Sequence, residues 1–449
     1  MKWLKNILKP RGGVHPAYHK SATADRPVEA IPLPAAFSVS MLQHLGAPAK
    51  PAVRKGDKVL RGQLIGEPAG YVSAAVHAPT SGTVRDVREA PSISGRVAQV
   101  IDIDADGEDC PGEFLPPLPD WEKLDSKLLV ERIAAAGLAG MGGAGFPTHV
   151  KLSPPPGRTI DTLILNGAEC EPYLTADSRL MAEEAPRVAA GLRVLRRILS
   201  ARAVVVAVED NKPAAIAALE KALTGDDVML AALPTAYPQG AEKQLIYAVT
   251  GREVPSGKLP MDVGALVENV GTAVAACDAV VEGRPLIERI LTVTGGGVLS
   301  PKNVRARIGT RFEDLVAFCG GLAESSAKLV CGGPMMGVAL GGLDFSVGKT
   351  MSGLLVLTRR DVRQFQAQPC INCGRCVAAC PMGLMPCRLA EMVEAEVFDA
   401  AEEECVLDCI ECGCCAYSCP ARRPLVQYLR LGKAEVARRR KEREAARAS

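Results

Sequence analysis

The sequence carries almost no excess of charge: 53 basic residues stand against 51 acidic ones, a net +2. That balance lacks the basic footprint that nucleic-acid binding requires. It is also without long apolar runs. Stretches such as Ala203–Val208 fall far below the ~20 residues of a membrane span. The opening MKWLKNILKP is apolar only between Lys2, Lys5 and Lys9 and has no small-residue cleavage site, so no secretory signal is expected. These absences predict a cytoplasmic chain that is soluble or at most peripheral to a membrane. Aromatic residues are sparse at 4%, whereas 43 glycines and 33 prolines point to many loops and short elements.

Sixteen cysteines in 449 residues are too dilute for a disulfide scaffold, and eleven of them lie at or after Cys370. There the pattern Cys-x-x-Cys-x-x-Cys-x-x-x-Cys-Pro occurs twice, as CINCGRCVAACP (370–381) and CIECGCCAYSCP (409–420). Three closely spaced thiolates can reach three irons of one cubane, and the fourth, before proline, serves the neighbouring cluster. This predicts two [4Fe-4S] clusters, one on Cys370, Cys373, Cys376 and Cys419, the other on Cys409, Cys412, Cys415 and Cys380. Zinc also suits sulfur ligands, but its sites pair CxxC units from separate loops and give no reason for Cys-Pro. Cys387, Cys405 and Cys414 are left over, and Cys414 beside Cys415 leaves the ligand register open. Two adjacent clusters make a path for single electrons.

The rest of the chain divides by pattern. Residues 1–125 contain VRKGDKVLRGQLIGE and VHAPTSGTVRDV, short strands punctuated by Gly-Asp, Arg-Gly and Ser-Gly turns. They resemble the flattened barrel of biotinyl and lipoyl carriers. The hairpin EPAGYVSAA (67–75) has no lysine to carry a cofactor, which predicts a structural barrel. Residues 126–285 alternate helical SKLLVERIAAAG, LRVLRRILS and AAIAALEKAL with strand candidates TLILN, AVVVAV and DVMLAAL, as in an α/β sheet. Residues 286–358 read as a small α+β unit with a helix near FEDLVAFCG. Residues 359–432 are the cysteine-rich region, whose spacer LMPCRLAEMVEAEVFDAAEEE is a helix candidate. Residues 433–449 form a charged tail of seven basic and three acidic side chains, expected to be a solvated helix or a frayed end rather than a lipid or partner contact.

Between helix and sheet stands GMGGAGFP (140–147). It matches G-x-G-x-x-G only formally, because a helix rather than a strand precedes it. Four glycines in six residues still let backbone amides approach a phosphate or a flat ring; the plainer alternative is a linker. NGAECEPY (166–173) follows TLIL and so sits at a strand's carboxyl end, where open α/β sheets bind ligands. Asn166 suits a ring or ribityl hydroxyl. Glu169 and Glu171 could bind a second ligand's hydroxyls or amide, or could favour a helix N-terminus opening at Pro172. YPQGAEKQ (237–244) holds the equivalent place after DVMLAAL, and VENVGT (267–272) adds an amide and a hydroxyl.

In this order GMGGAGFPTHVK, NGAECEP, Y-x-x-G-x-E and ENVGT resemble the flavin-binding subunit of NADH:quinone oxidoreductase. RGGVHPAYHK (11–20), the carrier-like barrel and the paired cysteine motifs resemble more closely the C subunit of Rnf complexes, ion-pumping NAD:ferredoxin oxidoreductases. The resemblance spans about residues 10 to 432. It implies a multidomain α/β and α+β chain: a barrel-sandwich domain, a Rossmann-like flavin/NADH domain, a β-grasp (SLBB-like) unit and a helical two-cluster ferredoxin-like domain. It implies FMN held by Gly140, Gly142, Gly143, Gly145, Lys151, Asn166, Tyr237, Gly240 and Asn269. It implies NADH near Phe146, Glu169, Glu171 and Glu242, with no side chain acting as a catalytic acid or base. Ala168 stands where the quinone-reductase subunit has an acidic residue, and that subunit has only one cluster. The implied partners are the other subunits of a membrane-bound electron-transport complex, among them a ferredoxin-like one, on the cytoplasmic side of the bacterial inner membrane. A cobalamin reductase of bacterial microcompartments shares the glycine loop and paired clusters but not the GGVHP opening. A pure electron relay that binds no nucleotide is the non-enzymatic alternative.

Overall fold

The computed structural model describes residues 1–449 except 114, 363, 364 and 449. Its centre is a five-stranded parallel sheet in the order Lys2–Trp3, Met229–Leu233, Ala203–Glu209, Thr162–Gly167, Ala265–Asn269. The inner strands read as unbroken apolar runs because helices cover both faces. Leu163, Ile164, Leu165, Val204, Val205 and Val206 are all buried. The helix Ala185–Leu199 packs so closely on Val270–Cys277 that a Cβ at Gly191 would stand 1.8 Å from the Ala273 carbonyl oxygen. Only glycine allows that approach.

The chain runs outward from Thr162–Gly167 through the next two strands, then returns to lay Ala265–Asn269 on the other side. This reversal makes a topological switch point between the two strands, the usual ligand crevice of such sheets.

Three further units surround the sheet. The barrel-sandwich has a four-stranded sheet (Ala36–Ser40, Val97–Ala105, Gly82–Pro91, Lys58–Val59) facing a three-stranded one (Lys50–Pro51, Leu64–Glu67, Val76–His77). The β-grasp unit is a six-stranded mixed sheet with the helix Phe312–Phe318 packed on it through the buried Phe312, Leu315 and Val316. The cysteine-rich region is helical, around a small core of Leu389, Val393, Phe398, Val406 and Leu429. Among the described residues no helix is long and apolar enough to cross a membrane.

Two local expectations need correction. The spacer between the cysteine motifs is two helices, Pro386–Glu394 and Phe398–Glu403. Glu396 adopts φ 58° and the Val397 N–H donates to the Met392 carbonyl, a left-handed helix stop that turns Phe398 into the core. The helix expected at Pro172 begins at Ala176. The charged tail is helical, as one of its two expected forms, and continues the helix Leu425–Ala448, which Leu429, Val436 and pairs such as Arg443–Glu402 tie to its neighbours; Ser449 lies outside the described residues.

The first thirty residues follow no unit of their own. Lys2–Trp3 form the edge strand of the central sheet, and Val28–Ala30 extend the β-grasp sheet beside Lys302–Arg307. Between them the GGVHP segment bridges two other units. The Gly13 N–H donates to the Ala379 carbonyl (3.0 Å) and the Val14 N–H to the Tyr237 carbonyl (2.8 Å). Gly12, at φ +64°, lies against the backbone of Cys380, where a Cβ would come within 2.7 Å.

Candidate cofactor cleft and cysteine centres

A cleft of about 1380 Å³ opens at the switch point. Asn166 and Asn269 are register partners at the carboxyl ends of the two switch-point strands, so the strands themselves bring the pair together. Each asparagine then organises a turn. The Asn166 side chain donates to the Gly240 carbonyl (2.9 Å) and accepts from the Ala168 N–H (3.0 Å). Asn269 caps the helix Val270–Cys277 by accepting from the Gly271 N–H (2.8 Å) and donates to Asp177 (2.7 Å). A cap of this kind is worth about 1 kcal/mol.

The glycine loop closes over the crevice. The Gly140 N–H donates to the Phe146 carbonyl (2.9 Å), the Met141 N–H to the Thr272 hydroxyl (3.0 Å), and Leu45 of the barrel to the Gly145 carbonyl (2.9 Å). Gly143 and Gly145 adopt φ +133° and +64°, conformations that L side chains rarely enter. Beside Gly143 there is open space, whereas a Cβ at Gly145 would meet Thr350 at 2.5 Å. The loop is therefore tied at both ends and presents bare backbone to the cleft, which fits a phosphate or a flat ring. All thirteen residues singled out for FMN and NADH line this one cleft.

Charge in the cleft is largely consumed by the protein. Glu169 is buried and caps the helix Ala176–Glu183, accepting from the Asp177 and Ser178 N–H groups at 2.9 and 3.2 Å. Glu171 accepts from the Met335 and Met336 N–H groups at 3.1 and 2.8 Å, gripping a β-grasp loop. Burial pushes its carboxyl up to about 7 against the pull of those amides. Lys151 donates to Glu242 (2.9 Å) and to the Val267 carbonyl. Burial opposes its charge, but Glu268 and Glu242 more than restore it and raise its pKa. Sequence reasoning passed over Glu268, one residue before Asn269. It is 2% exposed, its Nζ neighbour Lys151 stands at 4.0 Å, and burial raises it to about 7. Its alternation out of phase with Asn269 along the strand hid it. Asp177, likewise unmarked, joins the cleft through Asn269.

The eight motif cysteines fall into two sets. One small cavity is lined by Cys370, Cys373, Cys376 and Cys419, a second by Cys380, Cys409, Cys412 and Cys415. Each set takes three thiols from one motif and the fourth from the other. All eight are free thiols. Among the described residues no three metal-binding side chains converge on a single ion; each set surrounds a space instead. Four thiols round a cavity fit a cubane, each supplying a thiolate to one iron. Cys387 borders the first cavity, Cys405 is exposed, and Cys414 is buried with its sulfur 3.9 Å from the Tyr237 carbonyl oxygen. Cys415 rather than Cys414 lines the second cavity.

The second set and the cleft share a wall. Cys412 and Ile410 line the cleft, and the buried Tyr237 hydroxyl donates to the Cys412 carbonyl at 2.7 Å.

Comparison with known proteins agrees with this architecture. The Nuo51 FMN-binding domain family matches residues 133–278, the RnfC barrel sandwich hybrid domain residues 8–108, and the SLBB domain residues 290–339. A domain of the first kind, joined to the other two, marks the chain as an oxidoreductase component. Among relatives, the C subunit of the proton-translocating ferredoxin:NAD(+) oxidoreductase complex of Clostridium ljungdahlii is 50% identical, over 95% of this chain and 93% of its own length. The C subunit of the Na(+)-translocating ferredoxin:NAD(+) oxidoreductase complex of Acetobacterium woodii is 45% identical, over 96% and 98%. One chain of an NAD+-reducing [NiFe]-hydrogenase, in its H2-reduced state, superposes with a TM-score of 0.49 at 21% identity, covering 70% of this chain and 63% of that one. The protein belongs to the family of C subunits of Rnf-type, ion-translocating ferredoxin:NAD+ oxidoreductase complexes.

Proposed function

We propose that this protein exchanges a hydride between NAD(H) and FMN in the switch-point cleft and passes single electrons through two [4Fe-4S] clusters to or from its partner subunits. FMN, when bound, supplies a centre that takes two electrons together and releases them one at a time. The observation that carries the reading is the shared wall: the second cysteine set borders the same cleft as the glycine loop, joined through Tyr237 and Cys412.

The residues then have the following parts. The glycine-loop amides and Lys151 receive the flavin's phosphate and ring, with Asn166, Tyr237, Gly240 and Asn269 shaping the crevice. Phe146, half-buried at the loop's end, offers an apolar face to the nicotinamide, near Glu242. Glu169 and Glu171 build the wall through backbone amides. Cys380, Cys409, Cys412 and Cys415 hold the cluster nearer the cleft. Cys370, Cys373, Cys376 and Cys419 hold the outer one, where the exposed Cys373 and Ile371 face outward toward a partner. The protein sits peripherally on the cytoplasmic face of the membrane, among partners that include a ferredoxin-like electron carrier.

The test is anaerobic purification followed by cofactor counting and NADH addition. The expected result is one FMN and about eight irons per chain, with flavin and cluster absorbance both bleached by NADH. Clusters without flavin, or no response to NADH, would reduce the protein to an electron relay.

A further inference from the structure

The cleft exceeds the roughly 300–1,000 Å³ of a site for one small molecule, and three units wall it. Part of that wall is distant in sequence from every flavin-type motif. It comprises the turn Ser92–Arg96 at the tip of the barrel's long hairpin, and Arg311 with Phe345 of the β-grasp unit. The turn is fixed: the Ser92 N–H donates to the Arg96 carbonyl (2.8 Å), the Gly95 N–H to the Ser92 carbonyl (2.9 Å), and Ile93 packs on the β-grasp core.

The cations of the cleft differ in whether they are answered. Lys151 is paired with Glu242, and Arg88 donates to Asp102 at 2.7 Å. Arg96, Arg311 and Lys243 also line the cleft, and among the described residues none of the three has a carboxylate partner; Lys243 stands on the central-sheet unit, Arg96 and Arg311 on the other two, where Glu313 and Asp344 also line the cleft. Two guanidinium groups from two units of one concave site attract an anion, and their planar donor forks suit phosphate oxygens.

We propose that Arg96 and Arg311 hold the diphosphate of NAD(H). The barrel-sandwich and β-grasp units then form the half-site for the adenosine diphosphate portion, while the central sheet receives the nicotinamide. This rests on the dehydrogenase reading above. It assigns the barrel, which lacks a carrier lysine in its hairpin, a part in substrate binding.

The test uses the full chain with its cofactors and two truncated probes. ADP-ribose has the diphosphate and adenosine without nicotinamide, and reduced nicotinamide mononucleotide has the nicotinamide without the adenosine diphosphate. Arg96→Ala/Arg311→Ala should weaken ADP-ribose binding, measured by calorimetry, about tenfold or more. It should raise the NADH concentration for half-maximal flavin bleaching and leave bleaching by the mononucleotide unchanged. Arg96→Lys/Arg311→Lys should recover part of the ADP-ribose affinity. Arg85→Ala, on the same hairpin but paired with Asp104 outside the cleft, should change neither. Wild-type ADP-ribose affinity in the double alanine variant would overturn the assignment, as would equal loss of both nicotinamide probes. A wild-type protein that NADH bleaches but ADP-ribose does not bind would overturn it too and leave the dehydrogenase reading intact. A wild-type protein unresponsive to NADH would overturn both.

Discussion

The two cysteine motifs repeat one backbone in two settings. Asn372 and Glu411 occupy equivalent positions at φ 53° and 59°, followed by Gly374 and Gly413 at φ 72° and 81°. Around them the surroundings diverge. In the first motif Cys373 is exposed and Ile371 is 66% exposed. In the second, Cys412 and Cys415 are buried, and Glu411 is pinned by Arg430 (2.8 Å) and Lys433 (2.6 Å) of the long helix. Motif spacing therefore sets the backbone on which the thiols stand, while burial and hydrogen bonding, which would tune the potential of any cluster held there, come from elsewhere in the chain. One motif faces the cleft and one faces out.

The sharpest way to break this asymmetry is to remove one ligand from each set. Cys412→Ser should lower iron from about eight to about four per chain and stop NADH from reducing the remaining cluster, though the flavin still bleaches. Cys373→Ser should lose as much iron yet leave the inner cluster reducible. Rapid-mixing absorbance separates the two, and wild-type electron delivery to the outer set in Cys412→Ser would sink the proposed order.

The paired glycines give the next largest effect. Alanine at Gly374 meets nothing within 4 Å and should cost only its left-handed strain, about 1 kcal/mol. Alanine at Gly413 would also stand 2.9 Å from the Met335 carbonyl oxygen, in the loop whose amides Glu171 grips. Gly413→Ala should therefore cost about 2–3 kcal/mol, and equal melting temperatures for the two variants would contradict the difference in packing.

Tyr237→Phe removes the hydroxyl that bridges the cleft and the inner motif. Leaving the Cys412 carbonyl without that donor should cost about 1–2 kcal/mol in denaturant unfolding and slow flavin-to-cluster transfer; among the described residues no counterpart bridges the cleft to the outer motif.

The smallest effect is a pH slope. Glu171 lies near 7 in the folded protein against 4.5 ordinarily. Between those values the folded state binds more protons than the unfolded one, so its contribution to stability falls as pH rises through that window and is level above it. Relative to wild type, Glu171→Gln should gain about 1–2 kcal/mol on going from pH 5 to pH 8. A pH-independent difference would show that the carboxyl is ionised throughout.

What could be read from the sequence was what is local. Cysteine spacing foretells the two thiol sets that line the two small cavities, and the glycine loop advertises bare backbone wherever it lies. TLILN and AVVVAV are strands because an apolar run of that length has to be buried on both faces. What escaped was what depends on long-range pairing. Lys2–Trp3 stand in a short apolar stretch broken by lysines, and pairing with Met229–Leu230 makes them a strand. Glu169 offers a carboxylate to any partner, and the fold supplies the helix at Ala176. Arg96 and Arg311 lie 215 positions apart and share a wall only once two units have docked.

The opening segment has a consequence for how the protein is made. Residues 1–30 pair with segments that lie far downstream in the chain. Lys2 waits for Met229, Val14 for Tyr237, Val28 for Asn303, and Gly13 for Ala379. The strap can settle between sheet and cysteine motif only after residue 379 has been made. A chain that lacks residue 379 leaves its GGVHP segment without the Ala379 carbonyl that Gly13 bonds.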